Sequence, residues 1–322
     1  MAAPKNQVPA IMKGAGFAPW IYLAPALLIM LFFVVYPTFN TIYLSLMDAD
    51  GVNSAATECQ QGQPCWGILE NYRHALTDGT MLSAFRNNLL WIVLMVPGTT
   101  GVGLIIAVLV DRLDCRIRLL GFSIDCESLA KGVVFLPMAI SFVGASVIWN
   151  YMYNYKAQGS QIGLLNAIVT ALGFQPIPWT TTGPWLNNVA LIIVGVWMWT
   201  GFCMTILSAA LKGVPYELLE AARIDGASEW RVFRSILVPI IAPTIVVVLT
   251  TMTINVLKIF DIVYVMGKGQ PGTQVIATRM YIEQFNKFDS GLSSAIAVVL
   301  ILAVLPIGYI NIRQFREQEA MR

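Results

Sequence analysis

Few side chains in this sequence are of the types that perform catalysis or bind metal ions. The 322 residues contain one histidine, His74, so a His-based triad or a His-rich metal site would have a single participant. The segment GKGQPGT at 267–273 looks superficially like a phosphate loop but lacks the G-x4-G-K-[ST] spacing. We therefore expect no catalytic residue, metal or cofactor on this chain. Any energy that it uses must come from a gradient or from a partner.

A second set of residues could contact a polar solute, because each stands in an otherwise apolar segment where polar or aromatic groups are costly without a role. The set is Trp197, Trp199, Asn255, Lys258 and Asp261. An indole face can stack on a sugar ring, while amide and charged groups bind hydroxyls. The alternatives are that the tryptophans pack or face lipid, and that Lys258 and Asp261, three residues apart on one helix face, form an ion pair that shapes a helix end.

The elements that carry these residues are membrane spans. Hydrophobic residues make up 57% of the chain and charged residues only 12%, which excludes an ordinary soluble domain. Because a spanning helix needs about 20 mostly apolar residues, charge-free runs predict an all-α, polytopic membrane protein with six spans. They lie at about Trp20 to Leu46, Asn88 to Val110, Gly132 to Tyr153, Asn188 to Leu211, Ile240 to Phe260 and Ser293 to Ile312. The first is too long for a signal-peptide core and should be retained.

The distribution of basic residues predicts the orientation, since Lys and Arg are retained on the cytoplasmic side. Thirteen lie in the termini and in the second and fourth loops, against five in the other three loops. Both termini and the loop 212–239 are therefore expected in the cytoplasm. The apolar stretch IGLLNAIVTALGF at 162–174 is too short to span and is predicted to be an amphipathic helix at the interface.

The cysteines follow this topology. Cys59 and Cys65 lie in the first outer loop, where an oxidising exterior would permit a disulfide. Two free thiols in a flexible loop are the alternative. Cys115 and Cys126 fall on the reducing side, and Cys203 is expected to pack in the fourth span as a small buried side chain.

The most informative stretch is the polar loop that precedes the fifth span, EAARIDGASEWRVFRSILVP at 220–239. It predicts a short helix over Tyr216 to Ile224, with Pro215 in its first turn, and a sharp turn at Gly226. Ser228 is a plausible N-cap for a second helix, EWRVFRSIL, which Pro239 is expected to interrupt. Two helices joined by a glycine turn would make a rigid knob, that is, a protruding element on which a partner could dock. The alternative is an ordinary solvated amphipathic loop.

The same stretch resembles the EAA-x3-G-x9-I-x-L-P signature of bacterial ABC-importer permeases, with Val238 in place of the usual Leu. The resemblance covers nearly the whole chain. The first span, FLPMAISFVGASVIWNYMY in the third and LKIFDIVYVMGKGQPGTQ after the fifth look like carbohydrate-importer permeases of the maltose and glycerol-phosphate type, most of all alpha-glucoside and glucosylglycerol permeases.

The resemblance implies the type I importer fold as a single domain, 1–322, in the bacterial inner membrane. It implies four kinds of partner: a second, similar permease, two ATPase subunits that bind ATP and Mg, an external solute-binding protein and the sugar itself. The knob becomes the coupling helix that docks on an ATPase, with the residues Glu220, Ala221, Ala222, Asp225, Gly226 and Pro239. Trp197, which lies 18 residues before Pro215, matches the place of a sugar-contacting tryptophan in the maltose type.

Two features depart from the family. The loop between the second and third spans is about a dozen residues longer than usual, an insertion at 113–129 that either touches the ATPase or is a tolerated surface addition. The loop with Cys59 and Cys65 also departs from the family pattern. The expected function is import of a sugar or sugar-like solute by alternating access. The alternatives are an ABC permease for glycerol phosphate, polyamines, phosphate or peptides, a gradient-driven secondary carrier, and a membrane-embedded enzyme.

Overall fold

The computed structural model describes residues 18–48, 65–66, 68–111, 116–119, 122–270 and 272–320. Helices dominate, which confirms the predicted class. They are α1 (Ala18–Met30), α2 (Tyr36–Ser45), α3 (Ile68–Thr77), α4 (Gly79–Asp111), α5 (Cys126–Ala139), α6 (Phe142–Met152), α7 (Leu164–Ala171), α8 (Pro184–Lys212), α9 (Tyr216–Ile224), α10 (Glu229–Val232), α11 (Val238–Leu257), α12 (Asp261–Gly267), α13 (Ile276–Tyr281) and α14 (Ser290–Ala320).

Two small antiparallel ribbons accompany the helices. One pairs β1 (Met47–Asp48) with β2 (Cys65–Trp66). The other pairs β3 (Arg116–Leu119) with β4 (Phe122–Asp125), in register Arg116 with Asp125 and Leu119 with Phe122. The second ribbon lies within the predicted insertion at 113–129, which therefore contains regular structure and leads directly into α5.

Five continuous helices among the described residues are long and apolar enough to cross a membrane: Trp20–Ser45, Gly79–Asp111, Pro184–Lys212, Glu229–Leu257 and Ser290–Ile310. The segment expected as one third span is instead the pair α5 and α6, bent by 97°. Ile140 is extended, at φ −85° and ψ 142°, and the Ser141 hydroxyl caps the new helix by accepting from the Gly144 amide at 3.0 Å. A local cap within an apolar run thus produces a bend that hydropathy alone does not reveal.

Proline does not interrupt the helix that enters the membrane from the polar loop, so that expectation was wrong. Glu229–Leu257 is continuous, and a π-helical turn at Phe233–Leu237 joins α10 to α11 just before Pro239. A second π turn, Leu31–Val35, precedes Pro37 in the same way. Proline lacks an amide hydrogen and its ring clashes with the carbonyl four residues earlier, so a local widening of the turn lets the helix continue.

The core is centred on α8, which packs against α4, α5 and α11. Trp91, Met95, Leu191 and Met204 are fully buried there. The helices approach closely at glycine: a Cβ on Gly201 would lie 2.6 Å from the Val134 carbonyl oxygen of α5. Small residues at such contacts let backbones approach in the absence of a strong hydrophobic force between spans.

A buried ion network holds α13 in place. Glu283, only 1% exposed, pairs through Oε1 with Arg279 Nη2 at 2.5 Å and with Lys287 Nζ at 3.1 Å. Arg279 also lies 3.9 Å from Asp78, which caps α4. Burial opposes the charge of Asp78, but hydrogen bonds from Thr80 and Met81, together with Arg279, keep its pKa below the ordinary value. The network ties α13 to the start of α4.

The predicted amphipathic helix at 162–174 forms α7, anchored by the buried Asn166. Its amide donates to the carbonyls of Asn154 and Ile177, each at 3.0 Å, and its oxygen accepts from the Ile177 amide at 2.9 Å. Among the cysteines, Cys203 is a buried free thiol as expected. Cys126 is disulfide-bonded, although its predicted side of the membrane is reducing. Cys59 and the side chain of Cys65 lie outside the described residues, and the pair remains a prediction.

Candidate solute cavity and candidate docking element

Four of the five predicted solute contacts line one cavity of about 160 Å³. We call it the central cavity because Trp199 lies near the middle of α8. Trp199, Asn255, Lys258 and Asp261 contribute to its wall. Its other lining residues, which the sequence did not single out, are Met95, Phe142, Ile259, Phe260 and Ile262. The volume is below the roughly 300–1,000 Å³ of typical small-molecule pockets, so in this conformation the cavity accommodates only part of a solute larger than a few waters.

The two tryptophans of α8 have different surroundings. Trp199 faces the central cavity and packs against Phe142, with ring centroids 5.8 Å apart. Trp197, the stronger candidate by resemblance, packs edge-on against Trp149 at 5.6 Å and does not line the central cavity. Residues two apart on a helix project about 200° from each other. Therefore only one of the pair can face the central cavity.

The break between α11 and α12 forms one wall of the central cavity. Helix α11 ends at Leu257 and α12 begins at Asp261, so Lys258 and Asp261 do not share a helix face as the sequence suggested. No ion pair joins these two described residues; Lys258 is exposed at the end of α11 and Asp261 opens α12. Discontinuous helices are tolerated at membrane depth where they line a cavity. The break thus brings two ionisable side chains to the central cavity.

A cluster of buried asparagines fixes this break. Asn88 of α4 accepts from the Ile276 amide at 2.8 Å, and its own amide donates to the Val256 carbonyl at 3.4 Å. Asn188 of α8 accepts from Trp91 Nε1 at 3.1 Å and donates to the Gly272 carbonyl at 3.1 Å. These bonds hold the end of α11 and the loop after α12 against α4 and α8. Two Asn-Asn pairs in apolar segments, 87–88 and 187–188, are the sequence signal that could have identified the cluster.

The polar segment between α8 and α11 forms the predicted pair of helices. Helix α9 spans Tyr216–Ile224, as expected, with Pro215 at its N-cap rather than inside its first turn. Gly226 has φ 77°; its amide donates to the Arg223 carbonyl at 3.1 Å, while Ala227 donates to Ala222 at 3.0 Å. This bonding pattern is a Schellman motif, which requires a left-handed residue and so favours glycine.

The second half of the pair begins where the sequence placed it. The Ser228 hydroxyl accepts from the Arg231 amide at 3.4 Å at the start of α10. Arg223 of α9 donates through Nε to Glu229 of α10 at 3.1 Å. Five of the predicted docking residues, Glu220, Ala221, Ala222, Asp225 and Gly226, lie on α9 or its C-terminal turn, and Pro239 is separated from them at the start of α11. We call the pair with its turn, residues 216–232, the α9–α10 element.

Large apolar side chains are exposed on the α9–α10 element. Ile224 is 81% exposed and Trp230 is 67% exposed. On the other side of α9, Leu219 packs against the main core, and Val232 of α10 is buried. The element is therefore fixed to the spans on one side and presents an uncovered apolar surface on the other, a property typical of protein interaction sites.

These features define a class: a helical membrane protein with a broken helix at a central cavity and a rigid polar helix pair between two spans. Residues 127–313 match the family described as binding-protein-dependent transport system inner membrane component, and the chain belongs to that family. It is the permease type of subunit of an ABC importer.

Similar proteins agree with this assignment. The osmoprotective compounds uptake permease protein GgtC of Synechocystis sp. is 50% identical over 94% of this chain and 100% of its own length. The alpha-glucoside transport system permease protein AglF of Rhizobium meliloti is 46% identical over 92% of this chain and 81% of its own. A chain of a bacterial alginate ABC transporter, solved with an alginate pentasaccharide-bound periplasmic protein, has the same fold, with a TM-score of 0.71 at 19% identity and 94% coverage of both chains.

Proposed function

We propose that this permease translocates a sugar or sugar-like solute, such as an oligosaccharide, an alpha-glucoside or glucosylglycerol, by alternating access. The names of GgtC and AglF, one for osmoprotective compounds and one for alpha-glucosides, support this class of solute. The chain works in the bacterial inner membrane with both termini in the cytoplasm. Its partners are a second homologous permease, two ATPase subunits that bind ATP and Mg, and an external solute-binding protein.

The proposed coupling to ATP hydrolysis rests on the structure of the α9–α10 element. It combines a rigid Schellman turn, an attachment to the core through Leu219 and an uncovered apolar surface that includes Ile224. A docked ATPase would cover that surface and, as it closes on ATP, would move the element as one body. Because α10 continues without interruption into α11, this motion would reach Asn255 and the helix break directly.

The central cavity is the proposed solute path. Trp199 and Phe142 supply apolar ring faces, and Asn255, Lys258 and Asp261 supply polar groups, the combination that sugar binding requires. Motion of α11 relative to α8 would widen the cavity to admit the solute. The alternative solutes would use the same path with different charge partners. Glycerol phosphate, an anion, would pair with Lys258, and a polyamine, a cation, would pair with Asp261.

Purification of the complete complex tests the proposal. We expect an ATPase to co-isolate with the chain, and its activity in proteoliposomes to rise when the sugar-loaded binding protein is added. Uptake should persist when a protonophore collapses the pH gradient and stop when ATP is withheld. Uptake by the chain alone, driven by the gradient, would instead show a secondary carrier.

Matched substitutions of the two tryptophans test the solute path. Trp199→Leu is expected to lower the apparent affinity for the sugar by up to about tenfold, because a stacked aromatic contact contributes about 0.5–1.5 kcal/mol. Trp197→Leu also removes an indole side chain, but one that packs on Trp149. It should lower the stability of the protein more than its apparent affinity for the sugar. Uptake rates at several sugar concentrations measure both. Equal apparent affinities in the two variants would contradict the assignment of Trp199.

A further inference from the structure

A second cavity, of about 560 Å³, lies at the end of the helices opposite to the α9–α10 element. We call it the outer cavity. The end of α6, residues 178–181 and the loop after α12 form its walls. Its volume lies within the range of roughly 300–1,000 Å³ that small-molecule sites occupy, and it exceeds that of the central cavity more than threefold.

Polar side chains in different walls of the outer cavity have unused hydrogen-bonding capacity. Within the part of the chain that the structure describes, the side chains of Asn150, Asn154, Thr181 and Gln270 form no hydrogen bond. By contrast, the Tyr153 hydroxyl in the same wall donates to the Ala190 carbonyl at 2.9 Å. Amides and hydroxyls offer both donors and acceptors, which suits a ligand rich in hydroxyl groups.

The aromatic and charged residues of the wall favour a neutral ligand over a cationic one. Tyr151 and Tyr155 are 68% and 40% exposed and offer apolar ring surface with a polar tip. Among the described residues that line the cavity, Lys268 is the one charged residue and none is a carboxylate. A cationic solute would meet a like charge with no partner, whereas a neutral polyhydroxylated solute would find ring faces and amides.

A pair of packed helices, α6 and α12, extends from the outer cavity to the central cavity. Phe142 and Asp261, at one end of α6 and α12, line the central cavity; Asn150 and Lys268, at the other end, line the outer one. Eight residues of α6 separate the two, which is about 12 Å at 1.5 Å per residue. A solute that moved from the outer cavity along this pair would reach the helix break.

The rim of the outer cavity is held in one conformation. Lys268 and Gly269 are left-handed, with φ 48° and 69°, and Gln274 Nε2 donates to the Gly269 carbonyl at 2.6 Å. Asn87 and Asn188 bind the Gly272 carbonyl at 3.2 and 3.1 Å. A rim that is already ordered loses little freedom when a ligand binds.

We infer that the outer cavity is an entry subsite that binds a neutral glycoside of one or two rings before the glycoside moves to the central cavity. This inference rests on the proposed function for its solute class. The binding site itself is independent of transport, because it is formed by this chain's own residues.

The test uses the double variant Asn150→Ala/Gln270→Ala, which removes one unengaged amide from each of two different walls. Its matched control, Gln284→Ala/Asn286→Ala, removes the same two amides from the segment after α13, outside the cavity lining. Saturation-transfer NMR measures ligand binding to the purified complex of permeases and ATPases, without ATP and without the solute-binding protein. Glucosylglycerol is the test ligand and spermidine is the cationic comparison. Proteoliposomes then report glucosylglycerol imported per ATP hydrolysed, and co-sedimentation reports docking of the sugar-free binding protein.

We expect the cavity variant to lose most of the glucosylglycerol signal and to import at least about fivefold less solute per ATP, since each of the two lost amides would contribute about one hydrogen bond, worth about fivefold in affinity. The control should match the parent, spermidine should give no signal, and docking of the binding protein should be unchanged. Equal NMR signals in the cavity variant and the parent would overturn the subsite while leaving import intact. Weaker docking of the binding protein, if it accounted for the lost uptake, would also overturn the subsite. The two amides would then contact the binding protein rather than the solute. If the parent binds glucosylglycerol here but imports no sugar, the subsite stands and the proposed function fails.

Discussion

Gly226→Pro is expected to abolish ATP-driven uptake while the protein still reaches the membrane. Gly226 has φ 77°, a region that proline, fixed near −65°, does not enter. Proline also removes the amide that donates to the Arg223 carbonyl at 3.1 Å. The Schellman turn would be lost and α10 would no longer hold its direction relative to α9. Since Gly226 is exposed and packs against no other described residue, the spans should fold normally.

Gly226→Asn is the matched control, because asparagine tolerates the left-handed conformation and keeps its amide. A Cβ at this position would meet nothing within 4 Å, so the substitution should preserve most uptake. Transport in proteoliposomes and the amount of protein in the membrane are the two measurements. Normal uptake by Gly226→Pro would exclude a coupling role for the α9–α10 element.

A charge reversal tests the same surface without altering the backbone. Glu220→Lys is expected to abolish uptake, because Glu220 is exposed on α9 within the motif that a partner would contact. Glu217→Lys makes the same change one turn earlier, outside the motif, and should have a smaller effect. ATPase activity of the complex distinguishes the cause: failure to dock lowers it, whereas a folding defect lowers the amount of protein.

Gly201→Ala is expected to have a large effect on folding. The added Cβ would lie 2.6 Å from the Val134 carbonyl oxygen and 2.7 Å from Phe135 Cα, and these backbone atoms cannot rotate away. Overpacking at such a contact costs about 1–3 kcal/mol. The contact joins α8 to α5, so the loss should appear as a lower melting temperature and a smaller monodisperse fraction in detergent.

Gly101→Ala is the matched control in α4. Nothing lies within 4 Å of its Cβ position, and alanine favours a helix by about 1 kcal/mol over glycine. Its melting temperature should equal or exceed that of the parent. Equal melting temperatures for Gly201→Ala and Gly101→Ala would show that α5 and α8 separate without a penalty, contrary to the close contact in the structure.

The parts of the candidate sites that the sequence predicted are those that depend on near neighbours along the chain. Ser228 signals an N-cap by its hydroxyl, and Gly226 signals a left-handed turn by its missing Cβ. The bounds of α9 followed from Pro215 and Gly226, and the start of α10 followed from Ser228. Prediction failed at Pro239, where a π turn compensates for the missing hydrogen bond, and at Ser141, whose cap bends an apolar run.

The sequence did not predict which of the candidate residues lie together in the structure. The sequence favoured Trp197 and paired Lys258 with Asp261, but the structure turns Trp199 to the central cavity and breaks the helix between the two charges. The break is held by the contact of Asn88 with Ile276, 188 residues away, and by that of Trp91 with Asn188, 97 residues away. No local pattern encodes such pairings.

The sequence by itself determined the helical membrane class, the segments long enough to span and the conformation of the α9–α10 element. The physical reason is that apolar length, a cap and a left-handed turn are properties of a few consecutive residues. Only the tertiary structure decided which side chains line the central and outer cavities and where α11 ends. Those outcomes depend on hydrogen bonds and close packing between helices that are distant in the chain.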